Sequence, residues 1–221
     1  MPMRPLHLRQ FPRRALHVSV LTVLVAFCPG VALRGQAPER RVLSPEGRSV
    51  TEIGGRVDER VGTTSGKRIE IVYGRPLKRG RDLFGADDFV EFLNDGAPVW
   101  RAGANVSTRL FTEIALQFGS TIVPAGQYTV FIELSREKWT FIISTWPAQT
   151  KGYDTNDKTA LYGAFDYTPD KDLVRVPMTL DALPYSHDQL HWEFVDMTAK
   201  GGRLAIMWDR TMASVPFSVA N

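Results

Sequence analysis

Gln127-Tyr128-Thr129-Val130-Phe131-Ile132-Glu133 and Trp139-Thr140-Phe141-Ile142-Ile143-Ser144 are the two stretches that decide the fold. Each is a short run rich in β-branched and aromatic residues, which favours a strand over a helix. The polar residues Ser135 to Lys138 lie between them and form a connection of hairpin length. The sequence therefore predicts an antiparallel pair of strands at this point.

Similar signals recur on both sides of this pair. Arg68-Ile69-Glu70-Ile71-Val72-Tyr73 alternates polar and apolar residues with the period of a half-buried strand. Only Ala86 to Asp95 has apolar residues at helical spacing, so we predict one short helix there. Further strands are predicted near Val50 to Ile53 at a sheet edge and over Thr108 to Phe118, Leu173 to Leu180, Gln189 to Met197, Arg203 to Trp208 and Ala213 to Phe217.

The number and spacing of these strands set the expected fold class. Several short strands with turn residues between them are typical of an antiparallel sandwich or barrel. We therefore expect an all-β protein with a single antiparallel β-sandwich domain, jelly-roll-like or barrel-like, over residues 67–221. Residues 38–66 are polar and rich in glycine, and are expected to form a tail and an edge strand.

Residues 1–37 have the composition of a secretory signal peptide. Ala15 to Phe27 is apolar but too short to span a bilayer comfortably, and it follows the basic residues Arg4, Arg9, Arg13 and Arg14. We expect cleavage near Ala37, export to the periplasm or the outside, and no membrane span in the mature chain. The alternatives are a lipid-attached Cys28 and an uncleaved N-terminal anchor.

The predicted leader also accounts for the basic charge of the chain. The 221 residues include 27 Lys and Arg against 24 Asp and Glu, and the pI is about 9.1. Five of the arginines and none of the acids lie in residues 1–37, so the remainder is slightly acidic. That balance argues against nucleic acid as a partner, because nucleic-acid binding needs a basic surface. The single cysteine, Cys28, would leave with the leader, so no thiolate chemistry is expected in the mature chain.

Polar recognition groups are concentrated around Trp100-Arg101-Ala102-Gly103-Ala104-Asn105. Guanidinium groups bind carboxylates, phosphates or sugar hydroxyls, and an indole can stack on a ring or on a guanidinium. One hypothesis is a polar pocket for a small anionic or carbohydrate ligand, lined by Arg75, Arg81, Trp100, Arg101, Asn105 and Thr108. The alternative is structural, with Trp100 filling the core and Arg101 bonded to loop carbonyls or a buried acid.

Motifs for catalysis or metal binding are weak. Gly62 to Lys67 superficially resembles a phosphate-binding loop, but it leads into a strand and is interpreted as a turn. His187 and His191 would lie about 13 Å apart in a regular strand, too far for one ion. The aspartates in and next to the long loop Pro147 to Pro169 leave a calcium site open without matching a known calcium loop. No metal or other cofactor is predicted, and no serine lies in a nucleophile-elbow pattern.

Several linked motifs resemble a bacterial secreted family, the domain-of-unknown-function family 2911. The resemblance covers about Leu43 to Phe217, and it implies a signal peptide followed by one β-rich domain, with no known activity or catalytic residue. Ala86 to Ala97 departs from the family pattern, in which this connection is shorter. The motifs that carry the resemblance are Tyr73-Gly74-Arg75-Pro76, Arg79-Gly80-Arg81, Leu83-Phe84-Gly85, Val99 to Asn105, Thr108, Val123 to Thr129, Trp139 and Trp208 to Pro216.

Three functional hypotheses follow from these observations. The first is a non-enzymatic binding or envelope-associated module whose partner is a small ligand or an envelope component. The second is an exported hydrolase or lyase that uses Asp or His from the Pro147 to Pro169 and His187 to His191 regions, for example Asp166 and His191. The third is a structural subunit in which the polar cluster only stabilises the fold.

Overall fold

The structure is a computed structural model that describes residues 42–220, apart from the side chain of Thr63. The predicted signal peptide, residues 1–37, and the first residues of the predicted tail lie outside this range. Within it, the chain forms twelve strands, one α-helix, α1 (Phe89–Asn94), and a short 3-10 helix (Pro169–Lys171). The strands are β1 (Glu46–Ile53), β2 (Val57–Asp58), β3 (Thr63–Thr64), β4 (Lys67–Gly74), β5 (Thr108–Thr112), β6 (Leu116–Phe118), β7 (Thr121–Val123), β8 (Gly126–Glu133), β9 (Thr140–Ser144), β10 (Asp172–Pro177), β11 (Thr179–Thr198) and β12 (Gly201–Val219).

Two antiparallel sheets pack together, which confirms the all-β sandwich. The first sheet has the order β1-β4-β5-β8-β9-β10, and the second has the order β11-β12-β6-β7. The predicted pair of strands is β8 and β9, whose register places Phe131 opposite Ile142. The small hairpin of β2 and β3 stands apart from both sheets. No helix among residues 42–220 is long and apolar enough to cross a membrane.

The main core fills the space between the two sheets. Alternate residues of β4 and β8 point into it, because successive side chains of a strand face opposite ways. Ile69, Ile71 and Val130 are fully buried there, and Trp192 faces them from β11 with no exposed surface. The two sheets also meet at one edge, where the Ser49 hydroxyl of β1 donates to the Trp192 carbonyl at 2.5 Å.

A second apolar cluster covers the opposite face of β8 and β9. Phe131 and Ile142 are fully buried there beneath Leu161, Ala164 and Tyr167 of the long loop. Strands β8 and β9 are therefore buried on both faces, which explains why their sequences are nearly continuous apolar runs. The loop is packed onto the sandwich over this part of its length.

Two predicted strands are wrong because the chain changes sheets within them. Thr108 to Phe118 was expected as one strand, but it divides into β5 of the first sheet and β6 of the second. The Thr112 hydroxyl donates to the Ile114 carbonyl at 2.6 Å, which holds the corner between them. Leu173 to Leu180 likewise divides between β10 and the start of β11, at Met178.

The last two predicted strands are joined in the structure. Arg203 to Trp208 and Ala213 to Phe217 both belong to β12, and β11 begins ten residues before the predicted Gln189. The polar segment from Asp209 to Met212 looks like a break in the sequence but pairs with irregular parts of β11. Asp209 has a φ of +52°, which marks the local distortion.

Candidate functional site: an arginine-lined cleft beside α1

Four of the six predicted site residues line one cleft of about 320 Å³. These are Arg81, Trp100, Arg101 and Asn105. Helix α1 and strand β12 supply further walls of the cleft. The lining is completed by Pro76, Phe92, Leu93, Asp95, Gly103, Ala104 and Trp208.

Helix α1 forms one wall because it is amphipathic. Phe89 and Leu93, four residues apart, are buried against the core, while Phe92 on another face is 49% exposed. The helix ends at Asp95, which adopts a left-handed conformation with φ +54° and donates its N–H to the Glu91 carbonyl. This ending turns the Asp95 carboxylate toward Arg101.

The indoles of Trp100 and Trp208 form the base of the cleft. They are 1% and 4% exposed, and their rings stack with centroids 6.3 Å apart and planes inclined by 13°. The backbone of Trp100 exchanges two hydrogen bonds with Ile132 of β8, at 2.8 and 2.9 Å. Trp100 is therefore a core residue that shows only a small part of its ring to the cleft. This position agrees with the structural alternative, in which Trp100 fills the core.

Arg101 is buried and already bonded. Its Nη2 lies 2.7 Å from the Asp95 carboxylate, and its Nη1 donates to the Asn105 carbonyl at 3.1 Å. The guanidinium also lies 5.3 Å from the centroid of the Phe165 ring, a cation–π contact with the long loop. Arg101 thus connects α1, the Trp100 segment and the loop, which is a structural role.

Arg81 differs from Arg101 because it lies exposed on the rim. Its Nε donates to the Lys78 carbonyl at 2.8 Å and its Nη2 to the Leu77 carbonyl at 2.6 Å. The guanidinium also lies over the exposed ring of Phe92, 5.2 Å from its centroid. Among residues 42–220, no carboxylate is close enough to pair with Arg81. Neutral partners therefore fix the Arg81 guanidinium on the rim, and it forms no ion pair with a described acid.

Thr108 and Arg75, the other two predicted site residues, do not reach this cleft. Thr108 is fully buried, and its hydroxyl donates to the Ala102 carbonyl at 3.1 Å, so it holds the loop from behind. Arg75 extends over Gly47, where an added Cβ would come within 2.2 Å of its Cδ. The prediction of one pocket for all six residues is wrong in this respect, because β4 ends before Arg75 and directs it toward β1.

Asn105 contributes to the cleft mainly through its backbone. It has a φ of +63°, and its side-chain amide donates to the Ser44 carbonyl at 3.0 Å. Gly74 is packed closely beside the same segment, since a Cβ there would lie 2.0 Å from the Ala104 carbonyl oxygen. Glycine is therefore required at position 74 for the Trp100 segment to approach β4.

The long loop Pro147 to Pro169 is organised around Gln149, which is 8% exposed. Its amide nitrogen lies 3.0 to 3.1 Å from the carbonyls of Asp154, Asp157 and Ala160. The Asp157 carboxylate accepts two hydrogen bonds from Thr159, and these lower the pKa of Asp157. Asp166 lies 3.7 Å from Lys158. The carboxylates of this loop are thus bonded mainly to their own loop.

The distance expected between His187 and His191 is wrong. Their ring centroids are 4.6 Å apart, far closer than regular strand spacing allows. The cause is the irregular pairing of β11 with β12 on both sides of His187. The nearby Ser186 hydroxyl donates to the Asp209 carboxylate at 2.8 Å. In the stretch interpreted as a turn, Gly62 to Lys67, Gly62 ends the turn between β2 and β3, Thr63–Thr64 is β3, and Ser65 and Gly66 connect it to β4.

Comparison with known proteins confirms the family resemblance. The model of a family described as "Protein of unknown function (DUF2911)" matches residues 57–217. A search of the curated proteins and a search of the solved structures each found no match. Because the family match spans more than half of the chain, this protein belongs to the DUF2911 family.

Proposed function

We propose that the cleft beside α1 binds a small molecule that has an apolar part and a carboxylate or another anionic group. The observation that carries the proposal is Arg81, an exposed guanidinium on the rim that forms no ion pair with any described acid. The protein acts as a binding module in this account, as the first hypothesis from the sequence states.

The charge of Arg81 is available because its bonds leave donors free. A guanidinium has five N–H donors, and the two bonds to Leu77 and Lys78 use only Nε and one hydrogen of Nη2. These bonds and the Phe92 ring also restrict the side chain, so little conformational entropy remains to be lost when an anion binds. A fixed, unpaired guanidinium suits a carboxylate, which it can bind through two parallel hydrogen bonds.

The walls of the cleft suit an apolar group. Phe92 of α1 and Pro76 supply the apolar surface, and the buried rings of Trp100 and Trp208 add only small exposed parts at the base. Small-molecule sites typically combine such walls with a few placed polar groups in a volume of about 300 to 1,000 Å³. At about 320 Å³ the cleft is near the lower limit, so it suits a ligand the size of one ring with a short acidic chain.

The residues behind the cleft hold these walls in place. Arg101 is committed to Asp95 and Asn105, and Trp100 is committed to Ile132. Neither is free to move toward a ligand without losing these bonds. In this account they are positioning residues, while Arg81 and Phe92 make the contacts.

The test is titration with 3-phenylpropionate, followed by NMR shifts of the tryptophan indole N–H groups. Its neutral amide, 3-phenylpropanamide, serves as the uncharged probe of the same shape. We expect saturable binding of the acid, with weaker binding of the amide and in Arg81→Ala. One charge-assisted bond at an exposed site contributes about 1 kcal/mol, so the loss is roughly fivefold.

Arg79→Ala is the matched control, because Arg79 is exposed two residues away and does not line the cleft. It should leave the affinity unchanged. Equal binding of acid and amide, or an Arg81→Ala variant that binds like the parent protein, would contradict the proposal. Conversion of 3-phenylpropanamide and water into 3-phenylpropionate and ammonia over a day would instead support the hydrolase hypothesis.

A further inference from the structure

Two bulges in β11 bring both histidines of the described chain to one place. Ala182 pairs with Thr211, His187 with Asp209 and His191 with Met207. Four residue steps along β11 between the histidines therefore match only two along β12. The extra residues fold out of the ladder, and the two imidazole rings meet with centroids 4.6 Å apart. Bulges of this kind often redirect side chains next to functional sites.

The nitrogen atoms of both rings are suited to bind a metal. His191 Nδ1 lies 3.5 Å from the Gln189 carbonyl, and an N–H at that position leaves the lone pair on Nε2. Ligating histidines commonly have this second bond to a backbone carbonyl. His187 Nε2 is buried and has no hydrogen-bond partner within residues 42–220. An unpaired buried nitrogen is costly unless something binds it.

A third donor lies on the same face of the sheet. Met207 is directly opposite His191 in the ladder, and directly opposed residues have Cβ atoms about 5 Å apart. Within the described part of the chain, no three His, Cys, Asp or Glu side chains are grouped to hold an ion. The set available here is two imidazoles and one thioether. Imidazole suits copper in both oxidation states and zinc, whereas thioether selects Cu⁺.

We propose that His187, His191 and Met207 form a copper-binding site, with water in the remaining coordination positions. The charged groups around it define its limits. Arg75 opposes a cation, while Glu193 favours one. The Asp209 carboxylate, opposite His187, is bonded to Lys78 at 2.5 Å and to Ser186 at 2.8 Å. Asp209 is therefore not counted as a ligand, and with three protein ligands the affinity should be lower than that of a structural metal site with four.

The test uses the full chain without a histidine tag, titrated with Cu²⁺ and separately with Zn²⁺ by calorimetry at pH 7. The His187→Gln and His191→Gln variants should each bind Cu²⁺ at least about tenfold more weakly. A separate titration uses Cu⁺, kept reduced by ascorbate without oxygen; Met207→Leu should weaken Cu⁺ binding and leave Zn²⁺ binding unchanged, since leucine keeps the volume and removes the sulfur. Thermal unfolding of each variant without metal checks that it is folded.

The double variant His187→Gln with His191→Gln lacks both proposed imidazole ligands. Any Cu²⁺ that it binds measures binding by the other ligands of the chain, including the N-terminal amine, His7 and His17. If it binds Cu²⁺ like the parent protein, the proposal is wrong. Absence of saturable binding in the parent protein would also overturn it. Equal loss of zinc and copper in Met207→Leu would show that Met207 acts through packing, and would remove it from the ligand set.

Discussion

Replacement of Arg101 by alanine tests the structural role of Arg101, which connects α1, the Trp100 segment and the long loop. The Arg101 side chain is 9% exposed, whereas the carboxylate partner Asp95 is 66% exposed. Removal of Arg101 therefore leaves no unpaired charge in the core, since water reaches Asp95. The cost of about 3 to 5 kcal/mol for breaking a fully buried pair does not apply here.

The expected cost comes from packing and from one carbonyl. Loss of the buried methylene groups of Arg101 costs about 2 kcal/mol at roughly 0.8 kcal/mol each. Loss of the contact with Phe165 and the bond to the Asn105 carbonyl adds about 1 kcal/mol. Arg101→Ala should therefore lower the free energy of unfolding by about 3 kcal/mol. For a domain of this size that corresponds to a fall of roughly 6 to 12 °C in the unfolding midpoint.

Two further variants separate the contributions. Arg101→Met keeps most of the buried volume and should cost only about 1 kcal/mol, because only the polar contacts are lost. Asp95→Asn removes the charge but tolerates the left-handed conformation, and should cost less than about 1 kcal/mol. The assay is urea unfolding with thermal unfolding as a second readout. If Asp95→Asn destabilised the protein as much as Arg101→Ala, the ion pair and not the packing would dominate, and the reasoning would be refuted.

Two other predictions concern the long loop. The Tyr167 hydroxyl donates to the Asp172 carboxylate at 2.5 Å, and burial followed by this bond raises the pKa of Tyr167 above its usual 10.0. A raised folded pKa gives stability that is complete below about pH 10 and is lost as the pH rises further. Tyr167→Phe should therefore be about 1 kcal/mol less stable at pH 8, and urea unfolding should show the difference shrinking by pH 11; a difference that widened would be inconsistent with this sign. Gln149→Ala removes the acceptor of the Asp154 N–H, which lies 2.8 Å from Gln149 Oε1. Hydrogen exchange of that amide should accelerate at least about tenfold, more than that of Leu161, whose N–H is bonded to Pro147; equal acceleration of both would mean that the whole loop opens.

The strands that could be predicted are those whose local pattern matches their burial. β8 and β9 are buried on both faces, and their apolar runs indicate strands without knowledge of any partner. The corner between β5 and β6 could not be predicted, because no glycine or proline lies at Glu113 to Ala115. It is held by the Thr112 hydroxyl, which is an ordinary strand residue in the sequence.

The histidine pair shows how a correct spacing rule can fail. Residues four apart in a regular strand cannot touch, and no residue between His187 and His191 is a usual bulge marker. The bulges arise from pairing with β12, a long-range property that local sequence does not contain. Asp209 takes its positive φ at the same place.

The candidate cleft was foreseen in part. Arg81 and the Trp100 segment could be singled out because their polar groups are dense in the sequence. Trp208 could not, since its ring reaches Trp100 only through the packing of the two sheets. The exposure of Phe92 was not foreseen, because helical spacing groups it with Phe89 and Leu93, yet it is 49% exposed.

The most direct test of the central claim is a cycle that combines Arg81→Ala with replacement of the carboxylate of 3-phenylpropionate by its amide. Affinities for all four combinations give the coupling free energy between the Arg81 side chain and the ligand's charge. We expect a favourable coupling of about 1 kcal/mol between Arg81 and the carboxylate, and this coupling should weaken as salt is added. A coupling of zero, with Arg81→Ala affecting acid and amide equally, would contradict the claim that the rim of this cleft recognises an anion.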